Sequence, residues 1–349
     1  MIEFYSFGEK SHFIRFFVIL SLLLRTNFTS RRAAVRLRVT PAGSVCPFCS
    51  IVSYPHEKRG CKKGTFFTAP FVAEIYVLLF GKVLKMNILF IGDIMGRSGR
   101  DGVFELLPEI KEEYNIDYTI ANGENASGGL GINTNGYEEL CRAGIDFFTM
   151  GNHTYSKKDV IKLFNAGENI IRPANLIGEN PGEGMAIVNT PKGAKLAIIN
   201  LIGRIYMNED NRSPFFEADM LIEKAKAKTN NIIIDFHAEA TSEKEALGYY
   251  LDGKVSAVLG THTHVQTADE RILPNGTAYI TDVGRTGVRH SVLGLDKDVS
   301  IARFILPPGE KKPPFNVARG QVQLCGIVIK INEETGKAEE IKRLCVLQK

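Results

Sequence analysis

Ala257-Val-Leu-Gly-Thr-His-Thr-His264 is the stretch on which the reading of this chain turns. The apolar run Ala257–Gly260 reads as a strand that delivers two histidines at its end. If extended backbone persists for a few residues, His262 and His264 project to one side, because side chains two apart share a face. Two imidazoles at that spacing can hold one metal ion or reach two neighbouring ions. The plain alternative is a surface loop that carries two histidines. Their company lifts the pair above it. From Met86 onward the chain holds five histidines, and four of them (His153, His237, His262, His264) follow short apolar runs. The fifth, His290, lies in a Gly-rich segment and is left out of the site.

Outward from that stretch, strands and helices alternate. Asn87–Ile91 is an apolar strand ending in Gly92-Asp93, followed by a Gly- and Arg-rich turn, Gly96–Arg100, and a helix from about Val103 to Tyr114. Tyr118–Ala121 is a strand running into Asn122-Gly-Glu-Asn125, and a helix around Gly136–Ala143 leads to the strand Phe147–Met150 and Gly151-Asn-His153. Lys157–Asn165, Phe215–Lys228 and Ser242–Tyr250 read as helices; Met185–Val188, Leu196–Leu201, Ile232–His237 and Tyr279–Asp282 read as strands, the last ending in Gly284-Arg-Thr-Gly287. After a Pro- and Lys-rich loop, Val322–Ile331 and Ala338–Val346 form a hairpin-like pair. Alternation of this kind argues an α/β architecture, doubly wound on pattern alone, with continuous apolar strands buried on both faces.

Charge divides the chain. Residues 1–85 carry 13 positive and 4 negative side chains and the remainder 30 and 35, so the net +4 comes from the first quarter. The main body is mildly acidic, and the basic-protein argument for nucleic-acid binding does not apply to it. The first quarter reads as an N-terminal extension without a fold of its own, with Met86 as a plausible true start; a membrane-tethering leader is the alternative. Its apolar run Phe16–Leu24 is too short to span a bilayer, and a second patch, Phe66–Phe80, is interrupted by Pro70 and Glu74. Cys46-Pro-Phe-Cys49 with Cys61 nearby is a weak zinc signal, lacking a fourth ligand. Cys141, Cys325 and Cys345 are widely spaced and suggest reduced, mostly buried thiols of a cytoplasmic protein.

The chemistry lies in a shared position. Asp93, Glu124 with Asn125, Asn152 with His153, His237, and His262 with His264 each fall at or just beyond the C-terminal end of a predicted strand. In an α/β sheet those ends form one edge, where sites assemble. Carboxylates, amides and imidazoles without thiolate suit two first-row ions (Fe, Mn or Zn) and not calcium, which takes oxygen ligands. Two such ions bridged by a carboxylate would activate a hydroxide for attack at phosphorus, and a neighbouring imidazole outside the ligand set, His153, could protonate the leaving alkoxide.

Gly92-Asp93, Asn122–Asn125, Gly151–His153, Asp235–Ala238 and Gly260–His264 together resemble the motif series of the calcineurin-like metallophosphoesterases. With Arg172-Pro-Ala-Asn175 and Phe236–Ser242, the chain is most similar to the YmdB-type branch, 2′,3′-cyclic-nucleotide phosphodiesterases, over about Met86 to the C-terminus. It lacks the wider superfamily's Asp-x-His at the first strand, since Ile94-Met95 follow Asp93, and Glu124 stands where most members carry a bridging Asp. Both departures are what the YmdB-type branch would show.

The resemblance implies Asp93, Glu124, Asn125 and His264 around one ion, Glu124, Asn152, His237 and His262 around the other, and His153 as general acid. It also implies a four-layer α/β/β/α sandwich of two mixed sheets flanked by helices, in place of the doubly wound guess, with the residues from about Val322 as edge strands. The expected partner is a small phosphodiester, a cyclic nucleotide by resemblance alone; no stable membrane insertion is expected, and nucleic acid and homo-oligomerisation stay open. Two rivals are weaker. An amidohydrolase places its His-x-His pair first rather than last. A metal-binding regulatory or RNA-associated scaffold needs only a closed structural site, usually with cysteine. Arg97, Arg100, Arg172 and Arg285 are candidate phosphate contacts, each also readable as a surface or cap residue.

Overall fold

The computed structural model of the protein describes residues 84–207 and 210–349. The readings of the apolar runs Phe16–Leu24 and Phe66–Phe80, of Cys46, Cys49 and Cys61, and of the N-terminal extension lie outside the described residues. The strands are β1 (Lys85–Ile91), β2 (Asp93–Ile94), β3 (Tyr118–Asn122), β4 (Phe147–Thr149), β5 (Met185–Asn189), β6 (Lys195–Ile202), β7 (Ile232–His237), β8 (Ala257–Thr261), β9 (Arg271–Ile272), β10 (Ala278–Ile280), β11 (Arg285–Val288), β12 (Val322–Asn332) and β13 (Ala338–Leu347). The helices are α1 (Gly96–Glu113), α2 (Thr134–Ala143), α3 (Asp159–Asn165), α4 (Pro214–Lys226), α5 (Thr241–Tyr250) and α6 (Lys297–Ile305).

Two mixed sheets result. One runs β2-β11-β12-β1-β3-β4, with β13 paired to β12; the other runs β5-β6-β7-β8-β10-β9. Between them lies an apolar layer in which Ile88, Phe90 and Ile120 of the first sheet meet Ile198, Ile233 and Leu259 of the second. Each such side chain contributes about 1.5–3 kcal/mol by leaving water. A second cluster packs α1 and α2 on the outer face of the first sheet through Val103, Leu107 and Leu140. A third packs α4 and α5 on the second through Ala218, Ile222 and Leu247. The order is helices, sheet, sheet, helices: the four-layer sandwich, not a single doubly wound sheet.

Three expectations need correction. Gly96–Arg100 is the first turn of α1, not a turn before it. A side chain at Gly99 or Gly102 would overlap the Thr286 carbonyl or Val322, so these glycines let the helix lie close on the sheet, and packing overrides their low helix propensity. Gly284-Arg-Thr-Gly287 does not end the strand before it: β10 stops at Ile280, and Arg285–Val288 form a separate strand, β11, paired parallel to β2 and antiparallel to β12. Finally, β12 is internal, flanked by β1 and β11 on one side and β13 on the other, so of this pair β13 alone lies at an edge. The thiols also differ from expectation: Cys325 is buried, Cys141 half-buried and Cys345 exposed, all three free.

Candidate metal centre

Parallel registers align the strand ends. Ile91 pairs with Ala121 and Asn122 with Thr149 in the first sheet, and His237 pairs with Thr261 in the second. The C-terminal ends of β1, β3, β4, β7 and β8 therefore open on one edge of the sandwich, and every predicted site residue lies there.

His237 sits at its centre, fully buried on β7. The Thr261 hydroxyl donates to Asp235 Oδ1 (2.7 Å), so it must accept from the ring Nδ1–H of His237 (2.9 Å). That fixes the neutral tautomer and leaves a lone pair on Nε2. Nε2 lies 3.1 Å from Glu124 Oε1, 3.0 Å from Asn152 Oδ1 and 3.0 Å from Nδ1 of His262. The His262 ring in turn donates from Nε2 to Glu239 Oε2 (3.1 Å), which leaves its Nδ1 as an acceptor too. Four acceptor atoms thus converge on one point. A proton there serves one or two of them; a metal ion serves all four, and the nitrogen and oxygen donors are those a first-row ion prefers. The ligand atoms of Glu124, His237 and His262 all lie within 4.8 Å of one another.

A second group adjoins the first. His264 donates from Nδ1 to the Leu293 carbonyl (3.1 Å) and turns Nε2 toward Asp93 Oδ1 (3.6 Å). The Asn125 amide nitrogen lies between them, 3.4 Å from Asp93 Oδ1, 3.1 Å from Glu124 Oε1 and 3.2 Å from His264 Nε2. It tethers the carboxylates as placed; a half-turn of the amide would present its oxygen instead. Glu124 touches both groups, and its Oε2 accepts the His153 backbone N–H at 2.9 Å. The His153 ring reaches only Asn152, whose Nδ2 lies 3.5 Å from its Nε2.

The electrostatics follow from burial and neighbours. Burial works to raise the Glu124 carboxyl, but the His237 and His153 contacts overcome it and bring it to about 2. Burial likewise works against a charged His237, yet Glu124, Asp93 and Asp235 push it up to about 9. Burial and the His237 charge push His262 down to about 3. Burial raises Asp93, against the pull of His264 and His237. Such spread among touching groups marks a site rather than a packed core.

The two histidines that follow β8 reach the site for a reason other than the one expected. The strand ends at Thr261, and both His262 (φ 98°) and His264 (φ 66°) adopt left-handed backbone, so period-two alternation does not place them. A buried ion pair holds that strained turn. Lys244 Nζ donates to Asp282 Oδ2 (2.9 Å), and the same oxygen accepts the backbone N–H and hydroxyl of Thr263 (3.1 and 2.7 Å). Arg285 Nη1 donates to the His264 carbonyl at 3.2 Å. Gly151 completes the cradle, for a methyl group there would overlap Glu124 Oε2 and His237 Nε2.

A family model for YmdB-like protein matches residues 89–344. The chain belongs to that family. This YmdB-like chain is 49% identical over 261 residues to a Bacillus subtilis (strain 168) protein named 2′,3′-cyclic-nucleotide 2′-phosphodiesterase, an alignment covering 75% of this chain and 97% of that protein. It is similar to the crystal structure of a hypothetical protein from Thermus thermophilus (TM-score 0.69, 39% identity, 76% of this chain and 100% of the other). It also resembles a crystal structure described as a novel phosphatase from Mycoplasma pneumoniae (TM-score 0.70, 35% identity, 76% and 94%).

Of the arginines considered, Arg172 donates to the carbonyls of Pro173 and Asn180, and Arg285 is buried against backbone. Both are structural. Sequence reading missed the outer donors and acceptors, Thr261, Asp235, Glu239, Lys244 and Asp282. One signal was available: Asp235 and His237 are two apart on a strand and so share a face.

Proposed function

We propose that this chain is a binuclear-metal phosphodiesterase acting on 2′,3′-cyclic nucleotides, its catalytic unit residues 86–349. The observation that carries the reading is the convergence of His237 Nε2, His262 Nδ1, Glu124 Oε1 and Asn152 Oδ1 on one point. Those four side chains would hold one ion; Asp93, Asn125, His264 and the shared Glu124 would hold the other. Iron or manganese suits the mixed oxygen and imidazole set, with zinc as the alternative. Bound there, the ions would supply Lewis acidity and a hydroxide near neutral pH.

The chain's own residues do the rest. Thr261, Glu239 and Leu293 each hold one imidazole in the tautomer that turns its other nitrogen inward. His153, outside both groups, carries the proton that goes to the ribose oxygen as the P–O2′ bond breaks and a P–O bond to water forms. Asn152 spans from His237 to His153 and so ties the general acid to the metal-binding group. The similarity to the B. subtilis protein supports the substrate class. No helix among the described residues is long and apolar enough to cross a membrane, and a cytoplasmic location is part of the reading. A scaffold role is not favoured, because the site offers more ligands than one structural ion needs.

The test is turnover of bis-p-nitrophenyl phosphate and of 2′,3′- and 3′,5′-cyclic nucleotides with added manganese. Metal-dependent hydrolysis that prefers the 2′,3′ isomer, and falls at least a hundredfold in His153→Ala and Asp93→Ala, is the expected result. Absence of metal-dependent turnover would overturn the reading.

A further inference from the structure

A cleft of about 1070 Å³ opens next to the metal centre, lined by none of the residues placed in it. Its walls run on from the site in sequence: Ser127 and Gly128 follow Asn125, and Lys157 and Lys158 follow His153 after one short turn. The start of α1 forms another wall and is tied to the site by the Gly96 N–H, which donates to the Asn125 carbonyl (2.9 Å).

Its charge is not balanced. Arg97 pairs with Asp101 (3.7 Å) and Arg100 with Glu139 (2.7 Å), while Asp159 is engaged by Lys162 (3.0 Å). Lys157, Lys158 and Arg319 also line the cleft and have no carboxylate partner among the described residues. Three uncompensated cations gather here on a body that carries 30 positive and 35 negative side chains from Met86 on. A single small ligand occupies a pocket of roughly 300–1,000 Å³, and this cleft passes that size before the metal centre is counted. No aromatic side chain lines it, so it offers charge rather than stacking.

We propose that the cleft receives the sugar-phosphate backbone of a ribo-oligonucleotide whose 3′-terminal 2′,3′-cyclic phosphate lies at the metal centre. The proposal rests on the phosphodiesterase reading above and extends it from mononucleotides to RNA ends. A 2′,3′-cyclic phosphate occupies both of its ribose's secondary oxygens, so a longer substrate can extend only from the 5′ oxygen, adding one negative charge per residue. Lys157, Lys158 and Arg319 neutralise those phosphates without reading bases, so recognition is independent of sequence.

The experiment uses the full-length, metal-loaded protein and its Lys157→Gln/Lys158→Gln/Arg319→Gln variant. Binding is read by fluorescence anisotropy on a labelled hexaribonucleotide ending in an uncleavable 3′-phosphate. Turnover is read as the ratio of kcat/KM for a hexaribonucleotide 2′,3′-cyclic phosphate to that for a cyclic mononucleotide. The variant should bind about tenfold more weakly, its slope of log affinity against log salt should flatten by about 2, and the ratio should fall about tenfold. Lys158→Glu alone, at an exposed position, should weaken binding more than Lys158→Gln. Unchanged binding and salt slope in both the triple variant and Lys158→Glu would overturn the cleft. Failure of the wild type to hydrolyse the cyclic mononucleotide would instead overturn the reading beneath it, so the two failures are separable.

Discussion

Nε2 of His237 lies 3.0 Å from Nδ1 of His262, and in the neutral rings both atoms are acceptors, because each ring spends its one N–H elsewhere, on Thr261 and on Glu239. Two lone pairs at that distance repel unless a cation stands between them, a proton on His237 Nε2 in the metal-free protein or the metal ion that displaces it. The protein without metal should therefore be less stable than the loaded one. Dialysis against a chelator should lower Tm, and manganese at a thousandfold excess over its Kd should restore about 4 kcal/mol. Calorimetry that finds no shift would contradict the placement.

The pH dependence of metal affinity has a defined sign. His237 without metal is raised to about 9, chiefly by Glu124 against the opposing burial, whereas Glu124, at about 2, stays ionised throughout. Metal must displace the His237 proton, so apparent affinity should climb about tenfold per pH unit below pH 9 and level off above it. In the metal-free fold the same proton stabilises. Its contribution is complete below pH 6.5, the ordinary imidazole value, and fades as pH rises through about 9. Isothermal titration in two buffers of different ionisation enthalpy should detect proton release on binding; pH-independent affinity would contradict this.

Thr261 is a positioning residue, since it touches only the far nitrogen of His237 and Asp235. Thr261→Val should lower metal affinity about 10–100-fold while the fold is kept, and Thr261→Ser should recover most of it. Equal losses in both variants would mean that packing, not the hydroxyl, matters.

The Lys244–Asp282 pair is buried at both ends and carries the Thr263 turn between the two histidines. Lys244→Ala leaves an uncompensated carboxylate and should cost about 3–5 kcal/mol in urea unfolding. Asp282→Asn, which keeps a hydrogen-bond acceptor for Thr263, should weaken metal binding less than Asp282→Ala does.

The sequence made the strands and the strand-end residues legible, because continuous apolar runs such as Ile232–Phe236 have one stable placement, buried on both faces. It revealed helix α1 from about Val103 but not its glycine-containing start at Gly96, where Gly99 and Gly102 serve close packing. Helix α6 was passed over although Asp296 caps it by accepting from the Asp298 and Val299 N–H groups. The histidine pair does follow a strand end, but its placement has a cause other than alternation: left-handed backbone at His262 and His264, held by Asp282 nineteen residues after Thr263, is a tertiary effect that no local period encodes. The carboxylate and hydroxyl that fix the imidazole tautomers are visible only once β7 and β8 are paired side by side, with His237 opposite Thr261.

Anomalous diffraction from crystals grown with manganese tests the central claim most directly. Two peaks per chain are expected, one within coordination distance of His237 Nε2, His262 Nδ1, Asn152 and Glu124, the other of Asp93, His264 Nε2 and the same Glu124. Manganese bound elsewhere, or a map in which His237 Nε2 faces no metal at saturating concentration, would contradict the account.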